Sequence, residues 1–513
     1  MSCFPSFIPI SLLTAMAESE TRRSSQDLSD QPTEIVHQNV SSKELIEVGW
    51  DGDKDPMCPR SMSRMRKWVI VSIACVGALC VTCASSIYTS TYEQMNKEFG
   101  CSQIVATLGL SSFVLGIALG PVVTSPLSEN YGRRPIYLVS WTMFIIWTIP
   151  SAVAPNIQTM IISRFFAGFA GSSFLTVAGG TAGDLFVRDE IQKPMSMVSL
   201  VPFIGPSLGP LLGGFINHNA YWRWTYYVML IWAAVLMVAI VFFAPETYHP
   251  ILLREKARKL RKETGNDAYR APMEDTIKPF LETLKIAILR PFQIIFLEPM
   301  CLCLDLYSAL VLGILYLFFG AIPLVFRTNH GMNLWQTGLT FLGIFCGLLV
   351  ASATTPIWSK LRTRLLEKRE KETGIAINEP EDLLPPTILG AVLIPIGLFW
   401  FGWTTYASVH WIVPIIGSGV FGCGLLLAYT GIFTFLVDAY PKYAASAMAG
   451  NSFVRCSFAA AFPLFGIQMY EKLGFQWASS LLAFLMVAMA PFPWLFFKYG
   501  KRLRAKSRFA MYA

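Results

Sequence analysis

Apolar runs of about 20 residues recur twelve times along this chain of 513 residues. A helix of that length crosses the hydrocarbon core of a bilayer, which is roughly 30 Å thick. The composition agrees, because 14% of the residues are charged, whereas a soluble protein carries about 25%. The sequence therefore predicts an all-α integral membrane protein with twelve transmembrane helices. The predicted spans are Trp68–Thr91, Ile104–Pro126, Pro135–Ala154, Ile157–Gly180, Met195–Ile216, Trp224–Ala244, Pro299–Ile322, Trp335–Trp358, Pro386–Tyr406, Trp411–Leu436, Met448–Met469 and Trp477–Phe497.

The positions of Lys and Arg predict the side of the membrane on which the chain begins and ends. Nearly all of the 41 lie in inner loops and in the two tails, and the outer loops hold Lys97, Arg223, Arg327 and Lys472. Because cytoplasmic loops carry the excess of positive charge, we expect both termini in the cytoplasm. The net charge of +8 reflects this sidedness. It does not indicate nucleic-acid binding, because the basic residues are dispersed over many loops.

The longest inner loop divides the chain into two sets of six spans. We predict a cytoplasmic, mostly disordered tail over 1–67, a six-helix bundle over 68–244, a cytoplasmic loop over 245–298, a second six-helix bundle over 299–497 and a cytoplasmic tail over 498–513. The polar composition of the first tail is typical of disorder, and translation starts at either Met1 or Met16. Within the central loop, REKARKLRKE predicts a basic helix that faces solvent or lipid headgroups.

Two inner loops retain traces of an internal repeat. The loop after span 2 reads SPLSENYGRRP, and the loop after span 8 reads TPIWSKLRTRL. A proline, an apolar residue and a closing arginine match in register, whereas the acid and the glycine do not. Two parallel six-span halves are a common layout of secondary transporters.

Span 5 contains the stretch GPSLGPLLGG, in which helix-breaking residues interrupt an apolar run. Gly205, Gly209 and Gly213 are spaced by four, so they share one face of a helix. Small residues at this spacing let two membrane helices approach closely, and neighbouring helices compensate for the prolines. The pattern predicts a tight helix–helix seam, which serves either packing alone or a sealed contact that rocks during transport.

Two ionisable side chains within the spans are candidates for function, because charge in a bilayer core is costly. Arg164 in span 4 either faces a cavity or a partner, or extends toward the outer interface. Asp305 in span 7 is a candidate proton carrier, because desolvation disfavours the charged form of a carboxyl. The alternative is that Asp305 lies near enough to the inner boundary to reach cytoplasmic water.

Signals for other chemistry are weak. All five histidines lie in tails or loops, and no Walker motif occurs. The stretch GSGVFG (Gly417–Gly422) lies inside span 10 with no strand before it, so it indicates helix packing rather than nucleotide binding. We therefore expect no metal, no cofactor and no nucleic-acid partner. No nucleophile–base pair appears, so we also expect a protein that is not an enzyme.

Several motifs together resemble the major facilitator superfamily, and in particular its fungal twelve-span drug:proton antiporters. The span 5 pattern is similar to the antiporter signature of these exporters, with matches at Gly205, Gly209, Pro210, Gly213 and Gly214. The loop after span 2 is similar to the loop 2–3 motif, with matches at Leu127, Gly132, Arg133 and Arg134, Glu129 in place of the usual Asp and Ser125 in place of the first Gly. Arg164 and Gly168 match the R-x3-G motif of span 4. The resemblance covers about residues 49–500.

The resemblance implies a proton-coupled exporter of hydrophobic or amphipathic small molecules, either drugs or an endogenous toxin, that works by alternating access. The proton gradient would supply the energy, and the motif that Arg164 matches is linked to proton coupling. Relatives often carry an acid nearer the outer end of span 7, where Gly320 stands here, so the role of Asp305 is our own inference from its place in the span, and we expect it to lie near Arg164. Glu129, Arg133 and Arg134 would form and break ion pairs with the other half at a cytoplasmic gate. The family's cavity-lining spans hold candidate substrate contacts at Tyr88, Tyr307, Tyr316 and Tyr429.

The resemblance also implies a monomer in the plasma membrane, although vacuolar relatives exist. Three alternatives stay open at this stage. A polyamine exporter would need acidic residues in the cavity, and the spans hold few. A proton-coupled nutrient importer fits poorly with the span 5 signature, and a non-transporting sensor would usually carry a longer signalling tail.

Overall fold

The structure of the protein is a computed structural model. It describes residues 46–52, 55–187, 190–272, 280–373, 379–505, 507 and 509, without the side chains of 280–284, 372–373 and 442. The chain from Glu47 onward forms one compact unit. The disorder predicted for the first tail and the choice between Met1 and Met16 concern residues that lie largely or wholly outside the described part.

Twelve helices in the described part are long and apolar enough to cross a membrane, as predicted. In chain order, spans 1 to 12 are Arg64–Phe99, Gln103–Tyr131, Arg133–Ala152, Ile157–Leu185, Gln192–Asn219, Arg223–Phe243, Pro299–His330, Leu334–Lys371, Pro385–Trp403, Ile412–Ala439, Ala444–Leu473 and Phe475–Arg504. Span 1 passes through a 3-10 turn at Tyr88–Thr91, and short breaks also divide spans 4, 8 and 12.

The remaining elements are short. A strand of two residues, β1 (Ile46–Glu47), precedes span 1. The described part of the central loop holds two helices, α1 (His249–Thr264) and α2 (Phe280–Leu297), and a second strand of two residues, β2 (Tyr269–Arg270). Single 3-10 turns lie at Pro59–Ser61, Pro380–Leu383 and Pro441–Tyr443. Several spans begin at polar caps, where a side-chain oxygen accepts an otherwise unpaired backbone N–H. These caps are Ser63 before span 1, Ser102 before span 2, Asn156 before span 4 and Asn333 before span 8.

Two regions predicted as loops are partly helical. Span 8 continues beyond the predicted end at Trp358 as far as Lys371, and α2 occupies part of the predicted central loop. Hydropathy marks where a chain leaves the bilayer core, but strong helix formers carry a helix on into water. The segment RTRLLEKREKET after Leu361 is rich in such residues.

Helix packing repeats between the first six spans and the last six. Span 1 packs on span 5, span 2 on span 4, and span 3 on spans 4 and 6. In the second set, span 7 packs on span 11, span 8 on span 10, and span 9 on spans 10 and 12. Spans 2 and 11 pack together, and so do spans 5 and 8, which joins the two sets. The faint sequence repeat thus corresponds to a repeat in packing.

Helix α1 has the predicted helical structure, but its face is not simply solvated. Lys256 of α1 is 7% exposed, and its Nζ lies 2.6 Å from Asp55 Oδ2 and 2.8 Å from Asp51 Oδ2. Beside this ion pair, Ala257 packs with Val48 and Ala271 in a small apolar cluster. The segment before span 1 therefore covers one face of α1. The sequence had predicted a helix that faces only solvent or lipid headgroups, so this contact was not expected.

The attachment of this segment to α1 is expected to weaken in acid. The N–H of Asp51 and the ammonium of Lys256 hydrogen-bond to Asp55 and lower its pKa to about 2. Because this pKa is lowered, the stabilisation is present above the ordinary value of about 3.9 and is lost as the pH falls toward 2. The protection factors of the amides at 48–52 and 57–58, which correct for the intrinsic exchange rate at each pH, should fall across this window. At pH 7 they should be about tenfold lower in Asp55→Asn, because one charge-assisted bond is lost. The control Glu47→Gln alters an exposed carboxyl, and equal protection in Asp55→Asn and wild type would refute the assignment.

Candidate transport and proton-coupling site

The glycines of span 5 form the predicted seam with span 1. A Cβ added at Gly205 would overlap Thr82 Oγ1, and one at Gly209 would overlap Ser86 Oγ and lie 2.7 Å from the backbone N of Ile87. At Gly213 the added atom would lie 2.9 Å from the backbone oxygen of Ile87. All three glycines share the face toward span 1, so the sequence prediction of a close seam is confirmed.

The opposite side of the same motif contacts the second set of spans. A Cβ on Gly214 would lie 2.9 Å from the carbonyl oxygen of Leu334 in span 8. Conversely, a Cβ on Gly338 of span 8 would lie 2.6 Å from the carbonyl oxygen of Pro210. The motif therefore packs within one half through one face and between the halves through the other. Periodicity had indicated only the first of these contacts.

Arg164 is buried between spans 1, 2 and 4. It is 2% exposed, which contradicts the alternative that it extends to the outer interface. Its Nε donates to the carbonyl of Gly109 at 2.8 Å, and its Nη2 donates to the carbonyls of Ala84 and Ser85 at 3.2 and 3.1 Å. The guanidinium also lies 4.1 Å from the centre of the Tyr88 ring, a cation–π distance. Arg164 thus joins three helices of the first set.

Asp305 is fully buried in span 7, with an exposed fraction of 0%. The alternative that it reaches cytoplasmic water is wrong in this conformation. Its Oδ1 accepts a hydrogen bond from Asn451 Nδ2 of span 11 at 2.9 Å, and Cys301 Sγ donates to its Oδ2 at 3.5 Å. Asp305 is therefore held by side chains of the second set of spans.

The expected proximity of Asp305 to Arg164 is not what the structure shows. Arg164 is bound by backbone carbonyls of spans 1 and 2, whereas the arginine that acts electrostatically on Asp305 is Arg455 of span 11. The guanidinium of Arg455 lies 5.1 Å from the centre of the Phe433 ring. A single sequence does not show which of two intramembrane arginines approaches a carboxyl, because that depends on how the helices are arranged.

Asn451 was not singled out from the sequence, although it occupies the central position beside Asp305. It lies in the stretch AGNSFVRC, where small residues flank it. A polar residue inside a membrane span is a functional candidate in the same way as a charged one. Applied to amides as well as to charges, that criterion would have found it.

Two of the four candidate tyrosines lie between the halves. Tyr316 of span 7 places its hydroxyl 2.9 Å from Ser85 Oγ of span 1. The ring of Tyr429 in span 10 lies 4.6 Å from that of Phe203 in span 5. Both tyrosines are at most 4% exposed, so they close the interface in this conformation instead of lining an open cavity.

The other two candidate tyrosines are enclosed within one set of spans each. Tyr88 is fully buried, and its hydroxyl donates to the carbonyl of Ala106 at 2.8 Å. Tyr307 is also fully buried, and its hydroxyl has no hydrogen-bond partner among the described residues. An isolated polar atom of this kind is unusual.

The turn after span 2 is bound by residues of its own half. Gly132 has a φ of +97°, which other residues rarely adopt, and a Cβ there would overlap the carboxylate of Glu246. That carboxylate accepts the backbone N–H groups of Arg133 and Arg134 at 2.9 and 3.1 Å. Arg133 Nε pairs with Asp184 of span 4 at 3.1 Å.

The expected ion pairs with the other half are not found among the described residues in this conformation, in which Arg133 pairs with Asp184. Glu129 is exposed, and Arg133 is used within the first set of spans. The second set holds a counterpart, because Arg362 of span 8 pairs with Asp438 of span 10 at 3.5 Å. In each set, an arginine at or near the inner end of the second helix thus faces an aspartate near the end of the fourth, which is consistent with a repeat.

The outer ends of the two sets of spans are in contact. Glu93 at the outer end of span 1 pairs with Arg327 of span 7 at 3.5 Å. Deeper in the membrane, Ser111 of span 2 donates to the carbonyl of Ala460 in span 11 at 2.6 Å. These contacts, together with the pair of Ser85 and Tyr316, close the outer side.

The inner halves of several spans are less covered by neighbouring helices than the outer ends are. A Cβ on Gly183, near the inner end of span 4, would have no heavy atom within 4 Å. Residues 197–200 of span 5 and residues 452–455 of span 11 are all partly exposed. Four consecutive helical residues point in all directions, so these segments have no fully covered face. The outer ends of the two sets of spans are thus in contact, whereas these inner segments are only partly covered.

Twelve spans in two sets of six with repeated packing, and a buried ionisable residue within each set, are the layout of a secondary transporter. Residues 74–463 match the model of the Major Facilitator Superfamily, and the chain belongs to that family. It is 50% identical over 464 residues to an efflux pump of Aspergillus terreus named atB, covering 90% of each chain. It is 42% identical over 453 residues to a probable drug/proton antiporter of Saccharomyces cerevisiae named YHK8, covering 88% of this chain and 87% of that protein.

A solved structure supports the same fold. The xylose transporter XylE from E. coli, in a partially occluded inward-open conformation, superposes with a TM-score of 0.58 at 16% identity. The match covers 84% of this chain and 99% of XylE. At that identity the likeness shows the fold alone.

Proposed function

We propose that this protein is a proton-coupled antiporter that exports hydrophobic or amphipathic small molecules, either drugs or an endogenous secondary metabolite. The observation that carries the proposal is the fully buried carboxyl of Asp305, which has an amide partner and no ion pair among the described residues. A carboxyl in such a place takes up and releases a proton as its access to water changes. The names of the efflux pump and of the antiporter among the relatives support the same function.

Transport would proceed by rocking of the two halves. In the present conformation, substrate enters from the side of the Gly132 turn, while the outer contacts exclude it from the other side. Opening outward breaks the pair of Glu93 and Arg327 and the contact of Ser85 with Tyr316. The glycine seam of spans 1 and 5 keeps its packing during this motion, because both helices belong to the same half.

A proton gradient supplies enough energy for this exchange. One proton moving through 100 mV releases about 2.3 kcal/mol, and each unit of pH difference adds about 1.4 kcal/mol. Two pH units and 100 mV together supply about 5 kcal/mol, which concentrates a neutral substrate more than about a thousandfold. The proposal therefore includes no cofactor and no nucleotide.

We also propose a location, an oligomeric state and an orientation for the protein. We place the protein in the plasma membrane as a monomer with both termini in the cytoplasm, the orientation that the basic inner loops favour. Its partners are small-molecule substrates, protons and lipid, and it acts as a transporter without chemical change to the substrate.

Purified protein in liposomes that contain a pH-sensitive dye tests the function. An inward proton gradient is imposed, and radiolabelled fluconazole, a planar mycotoxin and spermidine are supplied in turn. We expect proton movement in the exchange direction with fluconazole or the mycotoxin, and none in liposomes without protein. Coupled movement with spermidine alone would favour polyamine export, movement of substrate and proton in the same direction would favour an importer, and no movement with any compound would contradict transport.

A further inference from the structure

Asn451 lies at the centre of a fully buried hydrogen-bond chain between spans 7 and 11. Asn451, Asp305 and Ser308 are each 0% exposed. The Nδ2 of Asn451 donates to Asp305 Oδ1 at 2.9 Å and to Ser308 Oγ at 2.8 Å, and Ser308 Oγ donates to the backbone oxygen of Asp305 at 2.9 Å. The side-chain oxygen of Asn451 has no partner within the described part of the chain.

This arrangement suits one charge state of Asp305. An ionised carboxylate only accepts hydrogen bonds, and the amide presents a donor to it. A protonated carboxyl carries an O–H donor that needs an acceptor. The unpaired Oδ1 of Asn451 belongs to the same amide, so a half-turn of that amide brings an acceptor to the position the donor held. The proton itself stays on Asp305.

We propose that Asn451 is the positioning residue that converts protonation of Asp305 into a change at the interface between the two halves. This inference rests on the proposed function, because it assumes that Asp305 carries the proton. In this role the amide of Asn451 takes one orientation when Asp305 is ionised and the other when Asp305 is protonated. The residue contacts no substrate in this role.

The chain continues from Asn451 to the interface through Ser308. The backbone oxygen of Ser308 accepts the hydroxyl of Tyr429 at 2.5 Å, and the Tyr429 ring lies 4.6 Å from Phe203 of the other half. After the amide turns, Ser308 Oγ must donate to Asn451 Oδ1, so it releases the backbone oxygen of Asp305. The turn of span 7 that binds Tyr429 is thereby altered.

The other ionisable groups around Asp305 are less suited than Asn451 to donate to its ionised form and accept from its protonated form. Cys301 on the same helix donates to Oδ2 at 3.5 Å. Arg455 of span 11 acts at longer range, and Tyr440 at the end of span 10 directs its hydroxyl to Glu298 Oε2 at 3.3 Å. An arginine only donates, a thiol is a weak donor and a weak acceptor, and the phenol is turned to another acid, so the amide is the strong group beside Asp305 that can present either a donor or an acceptor.

The inference is tested without substrate by measuring conformation against pH. Spin labels are placed at Lys97 and Thr328, which are exposed near the outer ends of spans 1 and 7, in full-length protein in nanodiscs with its accessible cysteines replaced. In the otherwise unaltered chain, the ratio of outward-closed to outward-open populations should change at least about tenfold between pH 5 and 8. Asp305→Asn should abolish the change, and Asn451→Leu should reduce it to less than about twofold although Asp305 is intact.

The double variant Asp305→Asn with Asn451→Asp distinguishes a relay from a packing role. It exchanges carboxyl and amide across the same hydrogen bond, so it should recover at least about a third of the pH response. A response in Asn451→Leu equal to that of the parent would overturn the inference, and so would a double variant with no recovery. If Asn451→Leu does not fold, Asn451→Ala replaces it, because alanine also removes both the donor and the acceptor, and the same outcomes apply. Failure of the proposed function would appear separately, as absence of exchange in wild-type liposomes.

Discussion

Replacing Gly209 by alanine is expected to abolish transport and to lower the thermal midpoint of unfolding by several degrees. The new Cβ would overlap Ser86 Oγ and lie 2.7 Å from the backbone N of Ile87 and 2.9 Å from the carbonyl oxygen of Cys83. Backbone atoms of span 1 cannot rotate away, so the helices must separate. Overpacking of this kind costs about 1–3 kcal/mol, and separation also opens the seam on which rigid-body rocking of this half depends.

The matched control is Gly183→Ala in span 4. Gly183 is also inside a helix, but an added Cβ there meets no heavy atom within 4 Å. The control should keep wild-type transport and stability, because alanine is the better helix former. Thermal melting in detergent and exchange in liposomes measure both variants. A Gly209→Ala protein with wild-type melting and transport would show that the seam is looser than the structure indicates.

Replacing Arg164 by lysine is expected to reduce transport more than about tenfold, although the charge is kept. The guanidinium reaches the carbonyl of Gly109 with one nitrogen and those of Ala84 and Ser85 with another. A lysine ammonium is a single point with three donors and cannot span these positions. Each hydrogen bond to a charged group contributes about 1.5–3 kcal/mol, so the three helices lose a common anchor.

Arg327→Lys is the matched control for this substitution. Arg327 is an arginine at the outer end of span 7, its side chain is 38% exposed, and its ion pair with Glu93 tolerates a lysine. We expect it to retain most of the transport rate, since exposed ion pairs contribute only about 0–1 kcal/mol. Initial rates of exchange at equal protein density compare the two. Equal rates for Arg164→Lys and Arg327→Lys would mean that the buried geometry of Arg164 is unimportant.

Much of the fold followed from the sequence because its signals are local. Twelve apolar runs predicted twelve spans, and spacing by four predicted that Gly205, Gly209 and Gly213 face one partner. The predicted span ends were wrong where a helix continues beyond its apolar segment, as span 8 does as far as Lys371. Side-chain polarity ends a predicted span, but it does not end a helix.

The candidate site was less predictable because its contacts join distant parts of the chain. Intramembrane polarity identified Asp305 and Arg164 one by one, yet the two are held in different halves. Which residue meets Asp305 is decided by the packing of span 7 on span 11, and that places Asn451 there. The same holds for Glu246, whose binding of the Gly132 turn links positions more than a hundred residues apart.

The roles assigned to the site residues by resemblance stay predictions. The structure places Gly214 and Pro210 at the interface between halves, and it places the four tyrosines in closed surroundings. Whether any of these tyrosines contacts substrate stays a prediction, and the hydroxyl of Tyr307 is unpartnered among the described residues.

The most direct test of the account compares two transport modes in Asp305→Asn. Net export driven by a proton gradient requires Asp305 to load and release a proton, whereas exchange of labelled for unlabelled fluconazole across liposomes requires only rocking. We expect Asp305→Asn to lose proton-driven accumulation while it retains substrate exchange, and Asp267→Asn, in the exposed central loop, to retain both. Proton-driven accumulation that survives in Asp305→Asn would contradict the central claim that this buried carboxyl carries the proton.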